Sequence, residues 1–454
     1  MDVDTLLSIT QLHGKVATDE ATTQTHGEDG RFGDATAPEA VVYAESTEDV
    51  VALLTWAHQT ETAVIPFGAG TAEEGFLAAT RPSVSLDLSR MNSIIEVRER
   101  DFQVVVQPGI RRLELNEALA DTGLMFPVDP GSNSSIGGMA STNASGTTTV
   151  RYGGMRQNVI AMKVVLADGR VLSLGRPVRK SSSGYDLKDL FIGAAGTLGV
   201  IVELTLALQP IPEHVSVVQG FFPSTSGAAA GAYAVMAAGS PVERLELLDA
   251  LGVDAVNKTS GSELPAATAL WIGIGSASQA AVAGDISRVA EICTAQGAIE
   301  IRSATRREEV DALWEIRHGL APAVIAQFPG RRYKLTDTAV PLSRLVEMVD
   351  FASEEGRRLE LDVIPAGHVG DGNVHVMVAI KPGQEGLAEE YSDAVVLKAL
   401  ELDGTATGEH GIGIAKRRYM RFEHGEAVDI MWDIKRAIDP RGIMNPGKVL
   451  PEPA

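Results

Sequence analysis

Two short stretches of this 454-residue sequence hold the side chains best suited to chemistry. One is Gly367-His368-Val369-Gly370-Asp371-Gly372-Asn373-Val374-His375, and the other is Gly408-Glu409-His410-Gly411-Ile412-Gly413. Imidazole and carboxylate are good ligands for a divalent first-row metal. The glycines around them let the backbone come close to a ligand. A lone histidine is more often structural, but three histidines and a glutamate in two Gly-rich motifs fit a metal site or a catalytic site. Leu313-Trp314-Glu315-Ile316-Arg317 reads as helix, and a guanidinium there can grip a carboxylate through two parallel bonds. The plainer reading leaves Arg317 on the surface, paired with Glu315 or Asp311. Lys334 has no assigned role, and Trp271 and Trp314 are expected to pack in the core.

A second chemistry is written in glycine. Pro66-Phe67-Gly68-Ala69-Gly70-Thr71 follows an extended run, with Gly75 close behind. Successive N–H groups in such a turn make a nest for an anion such as a diphosphate. It is not a Walker loop, because no Gly-Lys-Ser/Thr is present, and no helix bearing a third glycine follows. A longer stretch, Pro130 to Gly146, is small and polar and runs into Arg151-Tyr152-Gly153-Gly154. With Gly196-Thr197-Leu198-Gly199, these loops suggest one long ligand lined by backbone, and a dinucleotide has that length and polarity.

Elements of ordinary kinds must position these groups. Ser46-Thr47-Glu48-Asp49 has capping-box spacing, and Val50, Val51, Leu53, Leu54 and Ala57 recur on one helical face. Ala63–Pro66, Ser83–Leu88, Phe102–Pro108 and Leu198–Leu208 read as strands. Ala161–Leu174 reads as a hairpin with a two-residue Asp168-Gly169 turn. Pro210 and Pro212 mark a boundary. Beyond them, strands at His214–Phe222, Thr268–Gly275 and Val374–Ile380 mix with helices at Gln279–Gln296, Arg307–Ala326 and Gly386–Leu402. Ile434–Leu450 reads as a short helix and a Pro/Gly-rich tail. The fold class is α+β.

Composition excludes other classes. Lys plus Arg is 39 against 60 Asp plus Glu, a net charge of −21, so nucleic acid is not an expected partner. No apolar run approaches the roughly 20 residues of a membrane span. The start Met1-Asp2-Val3-Asp4 carries acid where a secretory leader carries base. The single cysteine, Cys293, cannot form an internal disulfide, which suits a reducing cytoplasm.

Pro66–Gly75, Phe126–Gly154 and Gly193–Glu203 together resemble the flavin domain of the vanillyl-alcohol oxidase and p-cresol methylhydroxylase family of FAD-linked oxidases. Phe126-Pro127-Val128-Asp129-Pro130-Gly131 and Val150-Arg151-Tyr152-Gly153 are most similar to its D-lactate dehydrogenase (cytochrome) branch. The resemblance covers nearly the whole chain. It implies a two-domain FAD-binding fold with an antiparallel-sheet substrate, or cap, domain. The expected segments are 1–212 for FAD, 213–425 for the cap and its metal, and 426–454 returning to the FAD domain.

It also implies roles for residues. FAD would lie along Gly68, Ala69, Gly70, Thr71 and Gly75 in the first loop. In the second it would meet Pro130, Gly131, Ser132, Gly137, Gly138, Ser141, Asn143, Ser145, Gly146, Tyr152 and Gly153. Gly199, Ile201 and Asn445 complete the set. No His or Cys stands in these loops, so the FAD is expected to be non-covalent. His368, His375 and Glu409 would hold a divalent metal (Zn, Mn or Fe), His410 would be the base, and Arg317 would steady the substrate's carboxylate.

The implied reaction is oxidation of D-lactate, or a similar D-2-hydroxy acid, to the 2-oxo acid. Alternatives within the same resemblance are glycolate or D-2-hydroxyglutarate oxidation, a non-redox flavin-dependent transferase, and a non-catalytic flavin subunit. The intact histidine motifs argue against the last. Met377, two residues from His375 on an alternating strand, should face the pocket where the hydroxyglutarate relatives carry Asn, favouring an apolar substrate. The partners implied are the hydroxy acid and an electron acceptor (a quinone, cytochrome c or a flavoprotein). The protein is placed in the cytoplasm or at the inner face of the membrane, with a homodimer allowed.

Overall fold

A computed structural model describes residues 3–28 and 36–453. Met1 and Asp2, half of the acidic start, lie outside the described residues. The chain divides into two units. One comprises Met1–Ser145, Gly153–Ile211 and Glu409–Ala454, and the other Gly146–Tyr152 and Pro212–Gly408. Residues 409–425, expected with the cap, fall in the first unit because the backbone there bonds into it. Ile414 N donates to Glu74 O at 2.7 Å, and Val449 N donates to Gly413 O at 3.1 Å.

The first unit holds two larger sheets. Four strands run in the order Val16–Ala17, Ala40–Tyr43, Ser83–Asp87, Ala63–Phe67, and the last three are parallel. Five antiparallel strands run Ile94–Arg98, Gln103–Val106, Val200–Ala207, Val159–Val165, Val171–Gly175. The helix Thr47–Thr60 begins at the expected capping box, with Ser46 accepting from Asp49 N, and buries Val50, Leu53, Leu54 and Ala57. The hairpin differs from its two-residue expectation. Leu166 N bonds Arg170 O, so the turn has three residues, and Gly169 takes φ +83°. A type I turn followed by one left-handed residue gives this loop, and glycine takes that position without strain.

The second unit is built on a seven-stranded antiparallel sheet. Its order is Glu300–Ala304, His214–Phe222, Thr268–Ser276, Val242–Leu248, Asp362–His368, Asn373–Ile380, Arg332–Ala339. One face packs against the helices Thr225–Ala237, Gln279–Ala295, Leu345–Arg358 and Glu385–Glu401. The other packs against Ala250–Ser260, Arg307–His318 and Leu320–Gln327. The single helix expected at Arg307–Ala326 is broken at Gly319. Pro322 has no N–H to bond the carbonyl of His318, so the ladder cannot continue. Cys293 is buried under this sheet, which pushes its thiol up to about 11 and leaves it unreactive at neutral pH.

One cap in this unit carries a pH signature. Asp249 begins the helix Ala250–Ser260, its carboxylate accepting from Gly252 N at 2.8 Å, and burial pushes it up to about 7. The unfolded value is about 3.9. The folded state therefore binds the extra proton, and the stability that brings is lost as pH rises from about 4 to about 7. Asn caps as well as Asp without charge. Asp249→Asn should be more stable than the parent above pH 7, by on the order of 4 kcal/mol, and equal to it below pH 4. Thermal melts across that range check this, and a pH-independent difference would refute it.

Candidate active site

The chemistry of the second unit gathers around a residue the sequence analysis did not single out. Glu246 sits in the strand Val242–Leu248, opposite Trp271 on one neighbour and His368 on the other. Its side chain is fully buried. Oε1 accepts from His368 Nδ1 at 2.7 Å, and Oε2 accepts from Arg317 Nη2 at 2.6 Å. Burial pushes the Glu246 carboxyl up, but the charges of His368 and Arg317 outweigh it and hold it below the usual carboxylate range. With the Arg317 guanidinium, which can only donate, on one oxygen, the carboxylate accepts on both, so His368 Nδ1 carries the hydrogen. That puts the lone pair of the neutral ring on Nε2, the nitrogen a metal would use.

His375 is placed in the same way from the next strand. Its Nδ1 lies 3.4 Å from Thr336 O and 3.8 Å from Asp337 Oδ1. Asp337 is buried opposite His375 and receives bonds from Asn373 Nδ2 at 2.9 Å and Thr407 Oγ1 at 2.6 Å. The two imidazoles meet edge to face with centroids 5.3 Å apart. Two imidazoles backed by protein oxygens fit a divalent cation.

Arg317 is 9% exposed, which corrects the surface reading. Its partner is Glu246 rather than Glu315 or Asp311, and its buried Nε has no acceptor among the described residues. One turn earlier, Trp314 lies against Gly273, with the Arg244 guanidinium 4.9 Å from its ring. Both Trp271 and Trp314 are buried in the apolar cluster, as expected. Met377 belongs to that cluster, on the same strand as His375 and two residues along. Lys334 pairs with Glu389.

Glu409 and His410 lie in the first unit. Glu409 Oε2 accepts from Ser145 Oγ at 3.1 Å. His410 Nδ1 is 3.7 Å from Glu74 Oε1, and its Nε2 is 3.9 Å from Glu409 Oε1. Lys416 Nζ stands 3.0 Å from the same Glu74 oxygen. Burial pushes the Glu74 carboxyl up, but Lys416 and His410 hold it below its usual range. Glu74, like Glu246 and Asp337, was missed. The only signal for Glu246 was one acid inside the apolar run Leu245 to Leu248.

The glycine loops of the first unit are fixed by close packing. A Cβ on Gly68 would come within 2.3 Å of Ser135 Oγ, and one on Gly137 within 2.5 Å of Pro108. The stretch read as a loop from Pro130 to Gly146 contains a buried helix, Ile136–Thr142. Ser135 caps it through Gly138 N, and Asn143 ends it at φ 55°. Thr71 Oγ1 bonds Ser134 Oγ at 2.8 Å, tying the first loop to the second, and Ser132 Oγ bonds Ser134 Oγ. Ser141 Oγ bonds Gly137 O, and its carbonyl receives Ala195 N. Gly70, Gly75 and Gly153 all take positive φ, whereas Gly131 has open space where a Cβ would stand. Pro130 and Ala69 are half-buried.

Other expected cofactor residues are spoken for. Gly199 abuts Val165 O, and Ile201 pairs with Val164 with its side chain in the core, so each can offer only backbone. Asn445 Nδ2 donates to Ala195 O at 2.8 Å, while its buried Oδ1 has no partner among the described residues. Gly146 and Tyr152 belong to the second unit, where the Tyr152 hydroxyl donates to Glu243 at 2.7 Å. Tight glycines, one open glycine and an unsatisfied buried carbonyl fit a long polar ligand held by backbone.

Comparison with known proteins agrees. Residues 38–175 match the FAD binding domain, and residues 211–449 match the C-terminal domain of FAD linked oxidases. A probable mitochondrial D-lactate dehydrogenase of Danio rerio is 37% identical, covering 99% of this chain and 91% of its own. A mitochondrial D-lactate dehydrogenase [cytochrome] of Arabidopsis thaliana is 40% identical over 91% of this chain and 74% of its own. The crystal structure of p-cresol methylhydroxylase with substrate bound superposes with a TM-score of 0.77 at 16% identity, covering 99% of this chain and 97% of that one. The fold is the two-domain FAD-binding fold of that type, and the chain belongs to the FAD-linked oxidases.

Proposed function

We propose that this protein is an FAD- and divalent-metal-dependent dehydrogenase that oxidises D-lactate, or a similar short D-2-hydroxy acid, to the 2-oxo acid. The observation that carries the reading is the His368–His375 pair, each ring backed by protein oxygens, with His368 sharing Glu246 with Arg317. The whole-length similarity to D-lactate dehydrogenases supplies the substrate class. Glu409, which follows Gly408 directly, is the third metal ligand in this reading. Gly408 itself packs so tightly on Asn373 that a Cβ would lie 2.0 Å from its amide nitrogen, two residues from His375.

The protein's own groups divide the work. Arg317 keeps N–H donors beyond the one Glu246 uses, and these grip the substrate's carboxylate. His410 takes the hydroxyl proton on Nε2 while Glu74, itself paired with Lys416, stands by its Nδ1. A bound divalent metal (Zn, Mn or Fe) supplies a Lewis acid that makes that hydroxyl more acidic. FAD, held non-covalently, supplies the acceptor for the two electrons and the hydrogen from Cα. The reading extends to a quinone, cytochrome c or a flavoprotein as final acceptor, with a homodimer allowed. It places the protein in the cytoplasm or at the inner membrane face, whereas both relatives above are named as mitochondrial. Among the described residues no helix is long and apolar enough to cross a membrane.

Acid precipitation of the purified yellow protein should release its flavin into the supernatant. Colour that stays with the pellet would mean a covalent bond.

His410→Ala should lose about 10² to 10⁴ in turnover and keep its metal, because its role is proton transfer. His368→Ala should lose both metal and turnover and keep its flavin. Metal analysis beside flavin absorbance separates the two, and loss of metal in His410→Ala would exchange the roles of His410 and Glu409.

Substrate choice tests the reading as a whole. Met377 sits in the apolar cluster on the strand that carries His375. A second carboxylate near it would be buried without a partner, which costs roughly several kcal/mol. Anaerobic bleaching of the flavin should show kcat/KM for D-lactate above that for D-2-hydroxyglutarate. The reverse order would sink the assignment of Met377, and no bleaching by any D-2-hydroxy acid would sink the function.

A further inference from the structure

Glu246 binds two groups of unequal character. Arg317 has only donors, whereas the imidazole of His368 can present either a donor or an acceptor at Nδ1. The carboxylate suits both, because each of its oxygens accepts. It lies fully buried on an inner strand, with no solvent to offer another partner.

We infer that Glu246 and Arg317 together lock His368 in the tautomer with its proton on Nδ1, making Glu246 a positioning residue for the metal. The inference rests on the proposed role of His368 as a ligand. The lock depends on Arg317 as much as on the acid. A glutamine at 246 has one oxygen and one NH2 group. Arg317 cannot accept a bond, so the amide oxygen must face Arg317 and the NH2 must face His368 Nδ1. The imidazole then has to accept at Nδ1, which moves its proton to Nε2 and blocks the ligating lone pair. Replacing Arg317 by glutamine as well removes that constraint. A glutamine at 317 can accept from the NH2, so the amide at 246 turns over and its oxygen again receives Nδ1–H.

The test is titration of flavin-loaded, metal-depleted protein with Zn(II) against a chromophoric chelator. The set is the parent, His368→Ala, Glu246→Gln and the double variant Glu246→Gln/Arg317→Gln. Glu246→Gln should bind Zn(II) about 10- to 100-fold more weakly, the usual effect of losing a partner behind a metal-bound histidine. The double variant should recover most of that loss. It also buries a neutral pair in place of a charged one, so it remains informative where the single variant folds poorly. A merely structural role for Glu246 predicts the opposite, with the double variant weaker than the single. Parent-like affinity in Glu246→Gln, or no recovery in the double variant, overturns the lock. If His368→Ala binds Zn(II) like the parent, the metal assignment itself has failed, and the lock with it.

Discussion

A carboxylate sealed inside the second unit sets the terms for everything near it. An ionised acid away from water must be paired and hydrogen-bonded on both oxygens, and removing one partner typically costs about 3 to 5 kcal/mol. Glu246 meets this demand with one histidine and one arginine. The demand reaches outward through the sheet. Glu246 faces His368 only because two antiparallel strands keep their register, and it reaches Arg317 only because Trp314 seats its helix on Gly273. Slipping either strand by one residue would turn Glu246 or His368 to the opposite face.

The two units position their polar groups in different ways. The second uses side chains, each with a buried oxygen behind it: Glu246 for His368, and Thr336 O with Asp337 for His375. The first uses backbone, brought close by glycines that have no room for a Cβ and braced by small hydroxyls such as Thr71, Ser134 and Ser141. Backbone donors suit the diphosphate of a dinucleotide, whose charge is spread along a chain. Side chains suit a small substrate that must be told from its neighbours by one or two groups.

Much of this was legible in the sequence where local rules decide. The Ser46 capping box and the strand His214–Phe222 depend on residues a few positions apart, and each is where its pattern placed it, whereas the small polar stretch Pro130 to Gly146 hid the helix Ile136–Thr142. The strands Glu300–Ala304, Arg332–Ala339 and Asp362–His368 were not legible. The first two lie at the sheet's edges and carry charge, so their apolar signal is thin, and the third is interrupted by Pro365 and Gly367. The split at Gly319 was hidden because its cause, Pro322, lies three residues downstream inside a continuing apolar pattern. Glu246, Asp337 and Glu74 were missed for a deeper reason. An acid in a strand or turn looks like surface until its partners are known, and those partners are far along the chain: Arg317 is 71 positions from Glu246 and His368 122, while Asn373 is 36 and Thr407 70 from Asp337.

The chain's return to its first unit bears on its synthesis. Strand Ala63–Phe67 stands at the edge of its sheet, and Val64 exchanges backbone bonds with Ile443 and Asn445. Ile443 and Met444 fill the core that Val50 and Leu53 began, and the buried Lys435 ammonium is held by Thr197 O, Asp439 and Met444 O. On the ribosome, that edge and that core stay open while the whole second unit emerges. At about 5 to 20 residues per second, the delay from Phe67 to Met444 is on the order of 20 to 80 seconds. An exposed parallel edge is a template for pairing with other chains. The nascent protein thus carries an uncovered sheet edge until Ile443, Met444 and Asn445 have been made to pair with it.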